Sequence, residues 1–411
     1  MDARQERGLI IAATCRLNRT ADGTWLVPSQ SSADKIYKVN LETKSCSCPD
    51  CENGFVCKHY HAASIVFKRD VLPDGTMIET KQMTFTEKKV YKQAWTQYNL
   101  SQCQEKHRFQ VLLHDLCDGI TEPALSPLGG RPPIPLCDRL FSVIFKVYST
   151  FASRRFDCDL ADAHTAGYLT RKPHWNRVNA FLESESLIGP LQSLIAQSST
   201  PLRAIESDFA IDSTGFSVAR HVRWIDEKYG CKRSGRDWVK VHIATGVSTN
   251  IVTAAAIYER DANDSPIMPE LLKETAKTFK LRDVSGDKGY LSADNIETIF
   301  ALGGKPFIQF KINSTGGVGG LFERMFHYYQ FNRDEFLARY HKRSNVESTF
   351  SAIKRKFGDY LRSRTDVAMK NECLAKLVAY NICCVIASQC ELGIEPVFWK
   401  EQSEPAILPM A

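Results

Sequence analysis

The chain has 411 residues, of which 43% are hydrophobic and 24% charged, and its formal net charge is +6. This length is enough for two or three domains, and the composition is that of an ordinary soluble globular protein. The N-terminus lacks an apolar signal segment, and no apolar stretch nears the roughly 18 residues of a membrane span. We therefore expect an intracellular protein without membrane contact.

Residues 1–70 have the pattern of a small separate module. Two β-rich runs, which begin at Trp25 and Ile36, flank a serine-rich turn and predict a β-hairpin. A short helix is expected to begin near Lys58. Residues 71–84 follow as a linker, in which Pro73-Asp-Gly marks a turn.

The module contains a motif typical of metal sites, in which Cys46-Ser-Cys48 is followed after eight residues by Cys57-Lys-His59. Zinc takes thiolate and imidazole ligands tetrahedrally, and four ligands close the site, so we expect a structural Zn²⁺. The spacing resembles the SWIM-type zinc finger, a module associated with DNA or protein binding. Cys51 and His61 are spare donors, and Cys51 is an alternative to Cys48.

Residues 85–202 are predicted to be mainly helical, for example over Phe109–Leu116, Leu140–Tyr148 and Trp175–Leu187. No catalytic motif is evident in this region. A DNA-contacting helical domain and a simple packing domain are both consistent with its composition.

From residue 203 the pattern changes to strands that alternate with helices, up to about residue 390, and a tail covers 391–411. Three antiparallel-looking strands, a helix, a strand, a helix and a strand match the order of an RNase H-like domain. We therefore predict an α/β fold with a mixed sheet flanked by helices. The predicted elements include an interrupted strand or hairpin at Phe209–Asp212 and Phe216–Val218, a strand at Leu281–Ser285, and one long helix from about Asp334 to Lys356.

Three acidic residues in this region are candidate metal ligands. Asp212 closes a buried strand-like run, Asp287 closes a later one before a glycine turn, and Glu347 lies on the long helix. Hard ions such as Mg²⁺ prefer oxygen ligands, and phosphoryl transfer on DNA commonly uses two divalent ions between carboxylates.

Polar residues around the glutamate share one face of the predicted helix, at spacings that bring them within a narrow arc. This face comprises Tyr340, Arg343, Glu347 and Lys354, and a neighbouring apolar stripe comprises Val346, Phe350, Ile353 and Phe357. Residues 341–370 carry eight basic and three acidic side chains. Such a concentration of positive charge is typical of phosphate binding, although a solvated helix face is the alternative and is favoured for an arbitrary basic run.

These blocks resemble the DDE transposases of bacterial insertion sequences, in particular the insertion-sequence family four group. The similarity covers roughly residues 203–385. The matching blocks are Ile211–Thr214, Asp287–Tyr290 and Asn345–Phe350, followed by Lys354 and Phe357-Gly358, together with the Tyr, Arg, Glu and Lys spacing.

The resemblance implies a site in which Asp212, Asp287 and Glu347 bind two Mg²⁺ ions, with Mn²⁺ able to substitute. It also implies that Tyr340, Arg343 and Lys354 hold DNA phosphates, and it makes Lys288 a weaker candidate for DNA contact. The implied protein binds double-stranded transposon ends, cleaves and joins DNA, acts as a homodimer on DNA, and is found in the bacterial cytoplasm at the nucleoid.

Two features leave alternatives open. Some relatives stack a flipped end base on a tryptophan between the second acid and the glutamate, but residues 288–346 contain none. The possible substitutes are Phe307, Phe310, Tyr328 and Phe331. Asn263-Asp264-Ser265 also resembles a family block, although a helix cap is the favoured role for Asp264.

Two competing functions remain at this stage. A nuclease of the same fold would hydrolyse nucleic acid without joining it. A non-catalytic DNA-binding protein would use only the zinc module, and the presence of all three acids argues against this alternative.

Overall fold

The computed structural model describes residues 3–30, 35–70, 94–123, 132–218, 228, 238–258 and 264–399, with only the backbone for 68–70. Contacts within the chain divide it into two compact units, Met1–Val90 and Tyr91–Ala411. The predicted linker 71–84 lies outside the described residues, and the predicted tail is described only as far as residue 399.

The N-terminal unit is a four-stranded antiparallel sheet with helices before and after it. The predicted hairpin is confirmed, because Trp25 pairs with Val39 and Pro28 pairs with Ile36. The first helix was not predicted; it packs through Ile11 into the core, and Gly8 lies so close to the last helix that an added Cβ would be 2.5 Å from His61 Cβ. The elements are α1 (Ala3–Thr14), β1 (Asn18–Arg19), β2 (Trp25–Pro28), β3 (Ile36–Asn40), β4 (Ser45–Cys46), α2 (Pro49–Glu52) and α3 (Lys58–Asp70).

The second unit begins with helices, as the sequence predicts for residues 85–202. The helix predicted over Trp175–Leu187 ends at Leu182, and a 3₁₀ turn, Glu185–Leu187, follows. These helices are α4 (Trp95–Cys103), α5 (Glu105–Asp118), α6 (Leu136–Ser149), α7 (Ser153–Thr165), α8 (Trp175–Leu182) and α9 (Ile188–Ser199).

The second sheet has the order β7-β6-β5-β8-β9, and a short tenth strand pairs with β5. Strands β5, β6 and β7 are antiparallel, whereas β8, β9 and β10 lie parallel to their neighbours. The predicted mixed α/β sheet flanked by helices is therefore confirmed. Its strands are β5 (Phe209–Val218), β6 (Trp238–Gly246), β7 (Val252–Tyr258), β8 (Asp283–Gly286), β9 (Lys305–Ile308) and β10 (Tyr360–Leu361).

The helices that accompany this sheet differ from the sequence prediction in one important place. The predicted single helix from 334 to 356 is interrupted by a 3₁₀ turn, His341–Arg343, whose Lys342 side chain pairs with Asp208, directly before β5, and with Asp283 of β8. The helices are α10 (Met268–Ala276), α11 (Ala293–Ala301), α12 (Gly320–Phe331), α13 (Arg333–Tyr340), α14 (Ser344–Phe357) and α15 (Asp366–Leu392).

Helix α15 corrects the expectation that no apolar stretch approaches the length of a membrane span. Its length and mean hydropathy of 1.5 satisfy that criterion, but 72% of the apolar window is buried inside the protein. Such burial is that of a core helix in a folded unit.

One hydrophobic core joins the early helices to the later ones. Phe145 of α6, Leu191 of α9, Phe350 of α14 and Leu377 of α15 belong to the same cluster, together with Val241 from one face of the sheet. The other face packs on α10. The helices of 94–202 and the sheet are thus one compact unit, and the boundary predicted near residue 202 stays a prediction.

Candidate metal and nucleic-acid sites

The four predicted zinc ligands come together in the N-terminal unit. One ligand atom from each of Cys46, Cys48, Cys57 and His59 lies within 4.8 Å of those from the other three, and all four residues are buried. Strand β4 supplies Cys46, and His59 lies in the first turn of α3. Cys51 is placed elsewhere, with its Sγ 3.9 Å from the carbonyl oxygen of Lys44.

The chemistry of this donor set fits a divalent cation. A hydrogen bond from Cys46 lowers the pKa of the Cys57 thiol to about 3, and this effect outweighs burial. The same contact and burial raise the pKa of Cys46 well above its usual range, and burial raises the pKa of Cys48. A divalent cation such as Zn²⁺ would compensate the charge of the thiolates in such a cluster.

The sheet places two of the three predicted catalytic acids side by side. Ile211 of β5 is in parallel register with Gly286 of β8, so Asp212 and Asp287 are the next residues along adjacent strands. Strand β5 continues to Val218, so Asp212 lies within a strand, not at its end as predicted. Asp287 follows the last residue of β8 and precedes a 3₁₀ turn.

Arg343 links the third acid to the first. Its Nη1 donates a hydrogen bond to Asp212 Oδ2 over 2.8 Å, and its Nη2 donates to Glu347 Oε1 over 2.7 Å. The side chains of Arg343 and Asp212 are about one-fifth exposed, whereas that of Glu347 is 58% exposed. A single guanidinium thus spans carboxylates that are 135 positions apart in the sequence.

The pKa of Asp212 depends on the other two acids, which lie close to it. Burial is the largest influence and raises its pKa, and the charges of Asp287 and Glu347 raise it further. The Ser213 amide and Arg343 act in the opposite direction. A half-buried carboxylate whose pKa is raised by two neighbouring carboxylates belongs to a donor set that suits hard divalent ions.

The basic and aromatic candidates occupy different positions around the acids. Tyr340 is 8% exposed and packs in the cluster that contains Phe336, and burial raises the pKa of its hydroxyl. Lys354 donates a hydrogen bond to Thr214 Oγ1 over 2.7 Å, and burial lowers its pKa. Lys288 is exposed in the turn directly after Asp287.

A network of ion pairs that the sequence did not reveal holds the 3₁₀ turn against the sheet. Lys342 Nζ lies 2.7 Å from Asp208 Oδ2 and 3.3 Å from Asp283 Oδ2, and Arg282 also pairs with Asp208. Burial raises the pKa of Asp208, but the hydrogen bonds from Arg282 and Lys342 prevail and lower it to about 2. Because Arg343 follows Lys342 in the chain, this network positions the Arg343 guanidinium beside the acids.

A second polar group lies beside Asp287. The Nδ1 atom of buried His242 shares a 2.9 Å hydrogen bond with the Tyr290 hydroxyl. Burial lowers the pKa of His242 to about 4. Asp264 takes the N-cap position of the Ser265–Ile267 turn, but its side chain makes no cap hydrogen bond and instead pairs with Lys240. The favoured capping role of Asp264 is therefore wrong.

The four aromatic residues considered as base-stacking substitutes differ in exposure. Phe307 and Phe310 are at most 4% exposed, and Tyr328 packs against Phe336. Phe331 is 81% exposed and its ring stacks on His327 at a centroid distance of 6.0 Å. Of these four residues, Phe331 therefore presents a free aromatic face.

Comparison with known families agrees with this geometry. Residues 203–382 match the family described as the transposase DDE domain, and residues 37–65 match the SWIM zinc finger. The chain thus carries a region similar to the SWIM zinc finger, followed by a region similar to the transposase DDE domain.

A search of solved structures finds a cryo-EM structure of the piggyBac transposase synaptic complex with hairpin DNA. The sequence identity is 10%, the match covers 66% of this chain and 70% of that chain, and the TM-score is 0.29. Comparison with curated proteins gives no match.

Proposed function

We propose that this protein is a DNA transposase of the insertion-sequence family four group, which binds double-stranded transposon ends, cleaves them and joins them to target DNA. The observation that carries the proposal is the meeting of Asp212, Asp287 and Glu347 around Arg343. The transposase DDE match over these residues supports it.

In this proposal Asp212, Asp287 and Glu347 hold two Mg²⁺ ions, or Mn²⁺ in their place. The bound ions would supply activation of a water or a 3′-hydroxyl and stabilisation of the leaving oxygen. The exposed side of Glu347 leaves room for substrate oxygens, while Asp212 is anchored in the sheet.

The bases around the acids have separate roles in orienting DNA. Arg343 presents a planar guanidinium that suits a phosphate as well as a carboxylate, and Lys354 contributes a positive charge next to β5. We propose that Tyr340 and, as a weaker candidate, Lys288 at the exposed rim also contact DNA phosphates. We also propose a homodimer on DNA, since two ends must be held together, and a location in the bacterial cytoplasm at the nucleoid.

In the N-terminal unit we propose a structural Zn²⁺ on Cys46, Cys48, Cys57 and His59. The burial of all four side chains supports a closed site rather than a catalytic one.

The test is Mg²⁺-dependent cleavage and joining of DNA that carries the ends flanking this gene. Wild type is compared with Glu347→Gln and with Glu274→Gln, which alters an exposed carboxylate on α10. We expect joined product from wild type and Glu274→Gln, and a loss of roughly a thousandfold or more with Glu347→Gln at nearly unchanged end binding.

Other results would redirect the assignment. Hydrolysis without joining would indicate a nuclease of the same fold. Tight end binding without reaction, unaffected by Glu347→Gln, would indicate a DNA-binding protein derived from a transposase.

A further inference from the structure

The turn that carries Asp287 ends in a buried tyrosine. Tyr290 closes the 3₁₀ turn Lys288–Tyr290 and is 1% exposed. Its amide donates a hydrogen bond to the Asp287 carbonyl oxygen over 2.9 Å. Its own carbonyl oxygen accepts a hydrogen bond from Asn295 Nδ2 over 2.7 Å. The position of Tyr290 is thus linked directly to that of Asp287.

This tyrosine and the first acid lie on opposite faces of the sheet. The Tyr290 ring packs on the α10 side, in the cluster that contains Ile211. Side chains alternate between the two faces of a strand, so Asp212 shares its face with Ala210, which belongs to the cluster that contains α14. The turn is therefore anchored from the side of the sheet that faces away from α14.

The Tyr290 hydroxyl reaches a fully buried histidine in the middle of the sheet. His242 lies on β6, and its side chain has 0% exposure. Its Nδ1 shares a 2.9 Å hydrogen bond with the hydroxyl. In the sheet order, β5 separates β6 from β8, so this hydrogen bond connects the Asp287 turn across the strand that carries Asp212.

The other nitrogen of this imidazole is an independent sign that the contact matters. His242 Nε2 is buried without a hydrogen-bond partner among the described residues. Asp264 Oδ1 lies 3.8 Å from it, and that carboxylate pairs with Lys240. An unpaired buried polar atom is costly, and folded proteins contain few of them. The hydrogen bond to Tyr290 is therefore the polar contact that this side chain contributes.

We propose that the hydrogen bond between His242 and Tyr290 positions Asp287 for divalent-metal binding at the acidic site. Both side chains act through the turn and are positioning residues. A partner behind a metal ligand sets the orientation of that ligand, and its loss typically weakens metal binding by about 10–100-fold. The role of Asp287 as a metal ligand rests on the proposed function, whereas its anchor rests on these contacts.

The test uses the full-length, zinc-loaded protein. Free Mn²⁺ is titrated by electron paramagnetic resonance, and hydrogen exchange of the Asp287 turn is measured without added Mn²⁺ or Mg²⁺. Tyr290→Phe keeps the ring and removes the hydroxyl, and His242→Leu removes the partner. His242→Asn keeps a hydrogen-bonding group near the position of Nδ1.

Two controls separate positioning from a general loss of structure. Tyr258→Phe makes the same chemical change beside His242, since the two rings lie 6.2 Å apart, but the Tyr258 hydroxyl donates to the exposed Glu270. Asn371→Ala removes a buried amide of α15 that donates to the carbonyl oxygens of Leu182 and Ser184. Urea unfolding identifies conditions in which every variant is folded, and binding is compared there.

We expect Tyr290→Phe and His242→Leu to weaken Mn²⁺ binding by about tenfold and to speed exchange at the Tyr290 amide. His242→Asn should lose less than about threefold, because it can still bond the hydroxyl. Cleavage of transposon ends should fall at limiting Mg²⁺ and recover at saturating Mg²⁺, because the anchor affects metal affinity and not the reacting groups.

The controls should behave differently. Tyr258→Phe should change Mn²⁺ affinity less than about twofold. Asn371→Ala should lower stability and leave Mn²⁺ affinity unchanged.

The proposal is overturned by wild-type Mn²⁺ affinity in Tyr290→Phe, or by an equal loss of affinity in either control. Failure of the proposed function is seen separately, as a wild type that does not bind Mn²⁺. Exchange in the metal-free protein does not depend on that function, so an unchanged Tyr290 amide in Tyr290→Phe and His242→Leu refutes the anchor in either case.

Discussion

The cysteine and histidine cluster takes its four donors from the short segment between residues 46 and 59, whereas the acidic site takes its three from positions 212, 287 and 347. The first is buried, and its thiols shift one another's pKa in opposite directions. The second is partly open, and Arg343 already balances two of its carboxylates. We infer that a metal folds the first region, while the chain's own charges build the second before any metal arrives.

The largest expected effect is loss of the N-terminal fold in Cys57→Ser. Structural zinc contributes about 10–16 kcal/mol in zinc-finger peptides, more than a small module's whole stability. Hydrogen exchange should lose protection over residues 35–67, while the described helices and strands of the second unit keep theirs. Cys51→Ser, which lies outside the cluster, should retain zinc and protection. A full zinc complement in Cys57→Ser would contradict the ligand set.

In the second unit, a buried lysine side chain connects backbone carbonyl groups and a carboxylate, as a metal ion is proposed to connect the donors of the first unit. Lys376 is 2% exposed, and its Nζ donates hydrogen bonds to the carbonyl oxygens of Gly358 and Tyr360 and lies 3.7 Å from Glu372 Oε1. Lys376→Met should lower the free energy of unfolding by about 3–5 kcal/mol, because it leaves Glu372 buried without that charge.

Urea unfolding of zinc-loaded protein measures this change. Lys277→Met, which removes an exposed partner of Glu274, should stay within about 0.5 kcal/mol of wild type. A similar small change in Lys376→Met would show that the buried ammonium does not hold the β10 segment.

We expect the stability of the second unit to depend on pH, whereas we expect the stability of the first unit to depend on a bound metal. Burial lowers the pKa of His242 in the folded protein to about 4, below the usual 6.5. As the pH falls, the unfolded chain therefore takes up a proton at this residue before the folded protein does. The contribution of neutral His242 to the free energy of unfolding is complete above pH 6.5. It is lost as the pH falls towards 4, by roughly 3 kcal/mol in all.

Unfolding of His242→Asn between pH 7 and 4 should therefore show a shallower loss of stability than wild type, measured by urea denaturation. His107→Asn, at an exposed position, serves as the control. An unchanged slope in His242→Asn would mean that this histidine is not kept neutral by the fold.

The smallest effect concerns the competition between Arg343 and a metal. Removing a cation that contacts Asp212 and Glu347 should tighten Mn²⁺ binding at the acidic site by about tenfold in Arg343→Ala. Electron paramagnetic resonance titration of free Mn²⁺ measures it, with Arg355→Ala on the same helix as the control. Weaker binding in Arg343→Ala would show that the guanidinium organises the carboxylates instead of competing for them.

Features that depend on neighbours in sequence were predictable. The hairpin, the start of α3 and the apolar stripe of α14 follow from periodicity and turn chemistry, and the structure confirms them. The zinc motif was recognisable because its donors are close along the chain. The roles of the predicted acids and bases in catalysis and DNA binding stay predictions.

Contacts between distant residues were decided only by the tertiary structure. Nothing local indicates that Lys342 reaches Asp208, that a 3₁₀ turn interrupts the helix before Glu347, or that Asp264 turns to Lys240 instead of capping. The choice of Cys48 over Cys51 for the cluster also required the fold. The physical reason is the same in each case: helix and strand periodicity sets which face a side chain takes, whereas its partner depends on how separate elements pack.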